Sequence, residues 1–190
     1  MGWMWAEKME MPKRIDSHAH LLDEKFDADR QELIETLSEE MEAVIECASA
    51  PEDFEKILAL TQRYALIYGA VGVHPTDAER FDAKTPECIR ALLAQPKILA
   101  IGEIGLDYYW FPEKRELQQR VLRAQMALAG EQGVPVILHN REATGDMLAL
   151  LGEFPGQRGV MHCFSGSVET ARTLLDLGYY LGFGGALTFS

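Results

Sequence analysis

The feature that most constrains this chain is a rhythm. From Arg14 to the end, short apolar runs alternate with longer amphipathic segments. An apolar run without polar alternation reads as a strand covered on both faces. Regular strand–helix alternation implies parallel strands joined by right-handed helical crossovers. Strands are predicted at residues 14–19, 43–48, 67–73, 97–102, 134–139, 159–162 and 179–182. Helices are predicted at 28–40, after Glu52 to about 63, 85–93, 113–132, 143–154 and 168–177. An open doubly wound sheet and a TIM-type (β/α)8 barrel both satisfy this pattern. A complete barrel typically has about 250 residues, and this sequence has 190. A barrel built here is therefore expected to be incomplete, with about seven βα units and the last strand and helix missing.

Local signals sharpen several elements. Ser49 and Glu52 have the S-x-x-E spacing of a capping box, and Phe54, Ile57, Leu58 and Thr61 are expected on the buried face of the helix that follows. Thr85-Pro86-Glu87 reads as an N-cap, a proline at the first helical position and an acid in the first turn. On the longest helix, Leu117, Val121, Ala124 and Leu128 are expected to face the core. Gly133 is expected to stop it.

Composition excludes several classes. With 47% apolar and 25% charged residues, collagen-like and wholly disordered chains are excluded. Thirty acidic and 18 basic residues give a net charge of −12, so phosphate repels the chain and non-specific binding of long duplex DNA is disfavoured. A nucleic-acid end can still bind locally if metal ions neutralise it. Cys47, Cys88 and Cys163 lie far apart and form no CxxC pair, which fits a reducing compartment. No apolar stretch approaches the length needed to span a bilayer, so no membrane association is expected. Residues 1–13 carry Glu7, Lys8 and Glu10 where a secretion signal needs an apolar segment. They are read as a leader or a cloning remnant, residues 14–190 as a single domain, and the cytoplasm as its expected location.

The chemistry rests on five histidines, His18, His20, His74, His139 and His162. Four are predicted at or just beyond the C-terminal end of a strand, and His20 lies slightly further, two residues after His18. Glu103 is predicted to follow the fourth strand. In an extended segment residues two apart point to the same side, so His18 and His20 can reach one metal ion together. A lone histidine at a strand end is more often a hydrogen-bonded structural residue. An HxH pair, an acid and two further strand-end histidines on one barrel face are a stronger pattern, because such folds build their sites there. The expected ligands are His18, His20, Glu103, His139 and His162. Glu103 bridges two ions, with His18 and His20 on one and His139 and His162 on the other. Imidazoles and carboxylates suit Zn²⁺ or Mn²⁺, and Mg²⁺ can complete its shell with phosphate and water. Two ions about 3.5–4 Å apart can stabilise both the attacking and leaving oxygens of a phosphodiester.

The segments Asp16-Ser17-His18-Ala19-His20-Leu21, Gly72-Val73-His74-Pro75, Gly102-Glu103-Ile104-Gly105-Leu106-Asp107-Tyr108, His139-Asn140-Arg141 and His162-Cys163-Phe164-Ser165-Gly166 occur in this order. In these motifs the sequence resembles the TatD family of metal-dependent deoxyribonucleases, within the amidohydrolase-like barrels. The resemblance runs from about Ile15 to the end. It implies a TIM-type barrel and metal-dependent hydrolysis of DNA ends or single strands, as a 3′→5′ exonuclease in many members. It implies the same five ligands, Glu103 among the catalytic residues, and a monomer for the complete barrel. The family pattern also has a Thr-Asp-Ser-Pro segment whose Asp is a ligand and proton acceptor. It does not occur here, so the chain is expected to be a C-terminally truncated piece of a longer enzyme. The alternatives are an amide, ester or lactone hydrolase on the same metal centre, or a metal-binding fragment without turnover.

Other motif residues stay open between a functional and a structural role. His74 can contact substrate phosphate or bond to backbone. Arg141, two residues after His139, can bind phosphate bidentately or be a solvated residue. Asp107 can orient a ligand histidine or shape a turn. Cys163 is expected to be buried against the helices. Tyr108, Tyr109, Trp110 and Phe111 can stack on nucleobases, although packing a loop over the barrel mouth is the commoner use. Gly182, Gly184 and Gly185 permit a sharp turn or close backbone approach at the rim.

Overall fold

The structure, a computed structural model, describes residues 13–188. Apart from Lys13, the expected leader lies outside the described residues. Seven strands form one sheet in the order β1-β2-β3-β4-β5-β6-β7, with every neighbouring pair parallel. They are β1 (Arg14–Ala19), β2 (Met41–Cys47), β3 (Ile67–Ala70), β4 (Ile98–Asp107), β5 (Val136–Arg141), β6 (Gly159–Met161) and β7 (Tyr179–Leu181). The helices are α1 (Arg30–Glu40), α2 (Phe54–Arg63), α3 (Thr85–Leu93), α4 (Arg115–Gln132), α5 (Thr144–Leu151) and α6 (Val168–Asp176). Sequential strand order is that of a barrel wall. The open doubly wound alternative would reverse direction at a switch point. The sheet curls into part of a TIM-type barrel with β1 and β7 at its edges.

Apolar burial explains the curl. Val44 and Ile67 on the strands pack with Ile34 of α1 and Leu60 of α2. A larger cluster joins Ile101, Ile104 and Leu106 of β4 to Leu122 and Met126 of α4 and Met147 of α5. Cys47, Ala70, Ala100 and Ile137 form a third cluster contributed by strands alone. This is the layered interior packing of a barrel wall. Gly105, at φ +155°, sits where an added Cβ would meet the His139 carbonyl oxygen at 1.9 Å. Only glycine lets β4 and β5 approach this closely beside His139.

Several elements differ from the sequence expectation. β4 runs to Asp107, so Glu103 lies within the strand and does not follow it. A buried carboxylate is tolerated there because imidazoles surround it. β3 stops at Ala70. Beyond it, Val73 N–H donates to Gln125 Oε1 at 2.8 Å and Gln125 Nε2 donates to Val73 O at 3.0 Å. A side-chain amide thus replaces the strand ladder. Gln118 does the same for Asp107, accepting from its N–H at 2.8 Å and donating to its carbonyl at 2.9 Å. The buried face of α4 therefore carries Gln118, Val121, Leu122, Gln125, Met126, Leu128 and Ala129. Ala124, expected on that face, is exposed. On α2, Leu58 packs half-buried against the core and Leu60 is buried as well. Asp53, not Glu52, reaches back to the turn that leads into α2, accepting from Ser49 and Ala50 N–H at 3.2 Å each. Glu52 is drawn away to Arg80 at 2.9 Å. Asp82, not Thr85, accepts the free N–H groups of Lys84 and Thr85 before α3. Gly133 ends α4 in the left-handed conformation, as expected.

Candidate metal centre

The site is built around Glu103, whose side chain is only 3% exposed. Its two oxygens divide the imidazoles. Oε2 lies 2.8 Å from His18 Nε2 and 3.2 Å from His20 Nε2. Oε1 lies 3.1 Å from His139 Nδ1 and 2.5 Å from His162 Nε2. Burial opposes the carboxylate's charge, but hydrogen bonds from His139, His162, His18 and His20 outweigh it and hold Glu103 well below the usual carboxylate range. The acid is therefore ionised at neutral pH. The ligating atoms of His18, Glu103 and His162 all lie within 4.8 Å of one another, as do those of His74, Glu103 and His139. Imidazole nitrogens around an anionic carboxylate are donors that suit a divalent ion, and the residues present fit one.

Two of these imidazoles, His20 and His139, are aimed by a hydrogen bond on the outer ring nitrogen. His18 lies near the end of β1, with its backbone N–H donating to Asp16 Oδ1 at 3.0 Å. His20 follows β1, and its Nδ1 lies 3.2 Å from the Cys47 carbonyl oxygen. A carbonyl only accepts, so a neutral His20 keeps its proton on Nδ1 and leaves Nε2 bare for an ion, while the protonated ring also donates from Nε2 to Glu103. The hydrogen bond to Glu103, opposed by burial, raises His20 above its ordinary pKa. His139 reverses the arrangement. Its Nε2 lies 2.9 Å from Asp107 Oδ2, which leaves Nδ1 facing Glu103. Burial works against its charge, but Glu103 and Asp107 together raise its pKa. His162 follows β6 and burial lowers its pKa. Its Nδ1 and Asn140 Oδ1 are buried without partners. Both residues line a cavity of about 270 Å³ that also touches Arg141 and Phe164.

His74 lies beyond β3 and differs in kind. Its Nδ1 takes the Thr76 backbone N–H at 3.3 Å and the Thr76 hydroxyl at 2.7 Å. A backbone N–H only donates, so Nδ1 accepts and the ring proton sits on Nε2. That Nε2 is 3.8 Å from Glu103 Oε1. Burial lowers the His74 pKa to about 4, and it stays neutral. His74 thus offers an N–H donor to the site, where a metal ligand would offer a lone pair.

The remaining motif residues fall into place around this centre. Asp107 Oδ2 holds His139 while its Oδ1 accepts from Tyr109 and Trp110 N–H at 3.1 and 2.9 Å. Arg141 ends β5 with its guanidinium over the Tyr109 ring, 3.9 Å from the centroid. Cys163 is exposed, contrary to expectation. It has φ +45° just past β6, and this turn carries it off the strand's inward–outward alternation. The Phe164 backbone N–H donates to the Gly182 carbonyl at 2.8 Å, closing the rim near the glycine run.

One contributor escaped the sequence reading. Glu46 of β2 is buried, and its carboxylate accepts from Leu21 and Leu22 N–H at 2.6 and 2.9 Å. It fixes the turn that carries His20. The signal was an acid inside the apolar run Ala43-Val44-Ile45-Glu46-Cys47-Ala48. For Gln118 and Gln125 it was their seven-residue spacing, which places both on one face of α4.

Comparison with known proteins agrees with this geometry. The sequence profile described as "TatD related DNase" matches residues 15–190. The "Uncharacterized metal-dependent hydrolase YabD" of Bacillus subtilis is 40% identical over 178 residues, covering 92% of this chain and 70% of that protein. The "3'-5' ssDNA/RNA exonuclease TatD" of Citrobacter koseri is 33% identical over 176 residues, covering 90% of this chain and 67% of its own length. The crystal structure of YjjV, a TatD homologue from Escherichia coli K12, superposes with a TM-score of 0.85 at 32% identity, covering 93% of this chain and 70% of that chain.

Proposed function

The chain belongs to the TatD-related family of metal-dependent hydrolases, and from that premise we propose that its site cleaves phosphodiester bonds at the ends of nucleic-acid strands, as a 3′→5′ exonuclease. The observation that carries the reading is the division of Glu103, with His18 and His20 on one oxygen and His139 and His162 on the other. His18 and His20 would hold one divalent ion and His139 and His162 a second, with Glu103 shared between the pairs, and Zn²⁺, Mn²⁺ and Mg²⁺ are the candidates. Bound there, such ions supply charge neutralisation at the phosphoryl group and an acidified water.

The chain's own residues do the rest. Glu103 stays ionised and unites the two ligand pairs. Asp107 and the Cys47 carbonyl accept from His139 Nε2 and His20 Nδ1, which would leave the opposite ring nitrogen of each free to hold an ion. His74, neutral and donating from Nε2, hydrogen-bonds a phosphoryl oxygen without competing for metal. Arg141 lies at the same mouth and binds the phosphate of the strand. The DNA reading draws further support from the relative named as an ssDNA/RNA exonuclease.

The test is release of labelled nucleotide from 3′-labelled single-stranded DNA, with Mg²⁺ or Mn²⁺ and with chelator. Metal-dependent release that falls at least about a hundredfold in His139→Ala is expected for loss of a ligand. No metal-dependent release, or full release by His139→Ala, would reject the reading.

A further inference from the structure

The loop between β4 and α4 is an anomaly in a chain of net charge −12. It gathers cations over aromatic faces. Arg115 lies 4.5 Å from the Tyr108 centroid, Lys114 lies 4.4 Å from that of Phe111, and Arg141 lies 3.9 Å from Tyr109 and 5.6 Å from Trp110. Lys114 is paired with Glu79 at 3.0 Å. Arg115 and Arg141 form no salt bridge among the described residues. Tyr108 is tied down, its hydroxyl donating to Asp146 at 2.8 Å. Tyr109 and Trp110 are not packed away, being 47% and 59% exposed. Their rings meet edge to face at 4.8 Å and 87°.

This pair is fixed relative to the metal centre. The Asp107 carboxylate that holds His139 with one oxygen holds the Tyr109 and Trp110 N–H groups with the other. Tyr108 N–H donates to the Arg141 carbonyl at 2.9 Å. Asp107 and Arg141 are also register partners in the β4–β5 ladder. A ligand touching Tyr109 and Trp110 therefore sits at a set position relative to His139.

We propose that Tyr109, Trp110 and Arg141 form a stacking subsite for an unpaired nucleobase beside the scissile end, with Arg141 also reaching the adjoining phosphate. The proposal rests on the nucleic-acid reading of the site. An exposed aromatic face with a free cation suits a base and its phosphate, because every base has a π face and the backbone is anionic. A paired base hides both faces within the duplex stack, so the subsite selects single strands.

The test compares ordinary single strands with strands whose nucleobases next to the 3′ end are replaced by abasic units. The wild-type chain is expected to cleave ordinary strands with a kcat/KM roughly tenfold or more above abasic ones, as loss of one stacked base implies. Trp110→Ala should shrink that ratio to within about twofold, and Trp110→Phe should retain most of it. A second readout is Trp110 emission in a chain carrying Trp3→Phe and Trp5→Phe. An oligothymidine strand should quench it and an abasic strand should not. Equal cleavage of both strands by the wild-type chain, an undiminished ratio in Trp110→Ala, or equal quenching by both strands would overturn the subsite alone. Cleavage of neither strand overturns the hydrolytic reading, and base-dependent quenching then upholds the subsite as a binding site.

Discussion

Glu103 is a buried acid that five imidazoles reach. The contacts that lower the Glu103 pKa also raise those of His20 and His139. Metal binding needs the imidazole nitrogens unprotonated. His20 and His139 are raised above 6.5 in the folded protein, so protons compete with metal at and somewhat above that pH. Metal affinity should therefore fall as pH drops through this range and level off above it, which calorimetric titration at several pH values would show. Affinity that is flat with pH would contradict the ligand assignment. His74, already neutral, adds nothing to that slope. Asp107→Asn keeps the shape but weakens the acceptor that orients His139, and about a 10- to 100-fold loss of metal affinity is expected. An unchanged affinity would leave Asp107 a turn residue only.

At the level of elements, the site depends on strand ends that the ladder alone does not fix. Gln125 supplies both hydrogen bonds to Val73, one residue before His74. Replacing it by Leu keeps the bulk and strands two buried backbone groups. A loss of about 2–5 kcal/mol of stability is expected, measurable by urea unfolding. Gly105→Ala would press a methyl into the His139 carbonyl, and should both destabilise the fold and weaken metal binding. Wild-type behaviour in either variant would refute the corresponding argument. The strand–helix order, the glycine stop at Gly133 and the strand-end histidines were legible because each is a local signal. The ends of β3 and β4, the turn into α2 and the buried face of α4 were not. Each depends on a partner distant in sequence, such as Gln125 for Val73 or Arg80 for Glu52. Glu103 inside a strand was hidden for the same reason, since four separate segments make its charge tolerable.

For the whole molecule, seven parallel strands bring five scattered motifs to one rim, and on the proposed function a chain of net charge −12 would bind a nucleic-acid strand there through few cations. Single-strand binding should therefore depend weakly on salt, with a log–log slope of about −1 if Arg141 is the main phosphate contact. A steep slope would point to a broader basic surface that this fold does not show. Among the described residues no helix is long and apolar enough to cross a membrane. The catalytic and metal-binding expectations depend on divalent ions being held between Glu103 and its imidazoles. The most direct measurement is the metal stoichiometry of the purified chain, by titration with Mn²⁺ or Zn²⁺ followed by elemental analysis. Two ions per chain, lost together in Glu103→Ala, is the predicted result. Binding no greater than that of Glu103→Ala would contradict it.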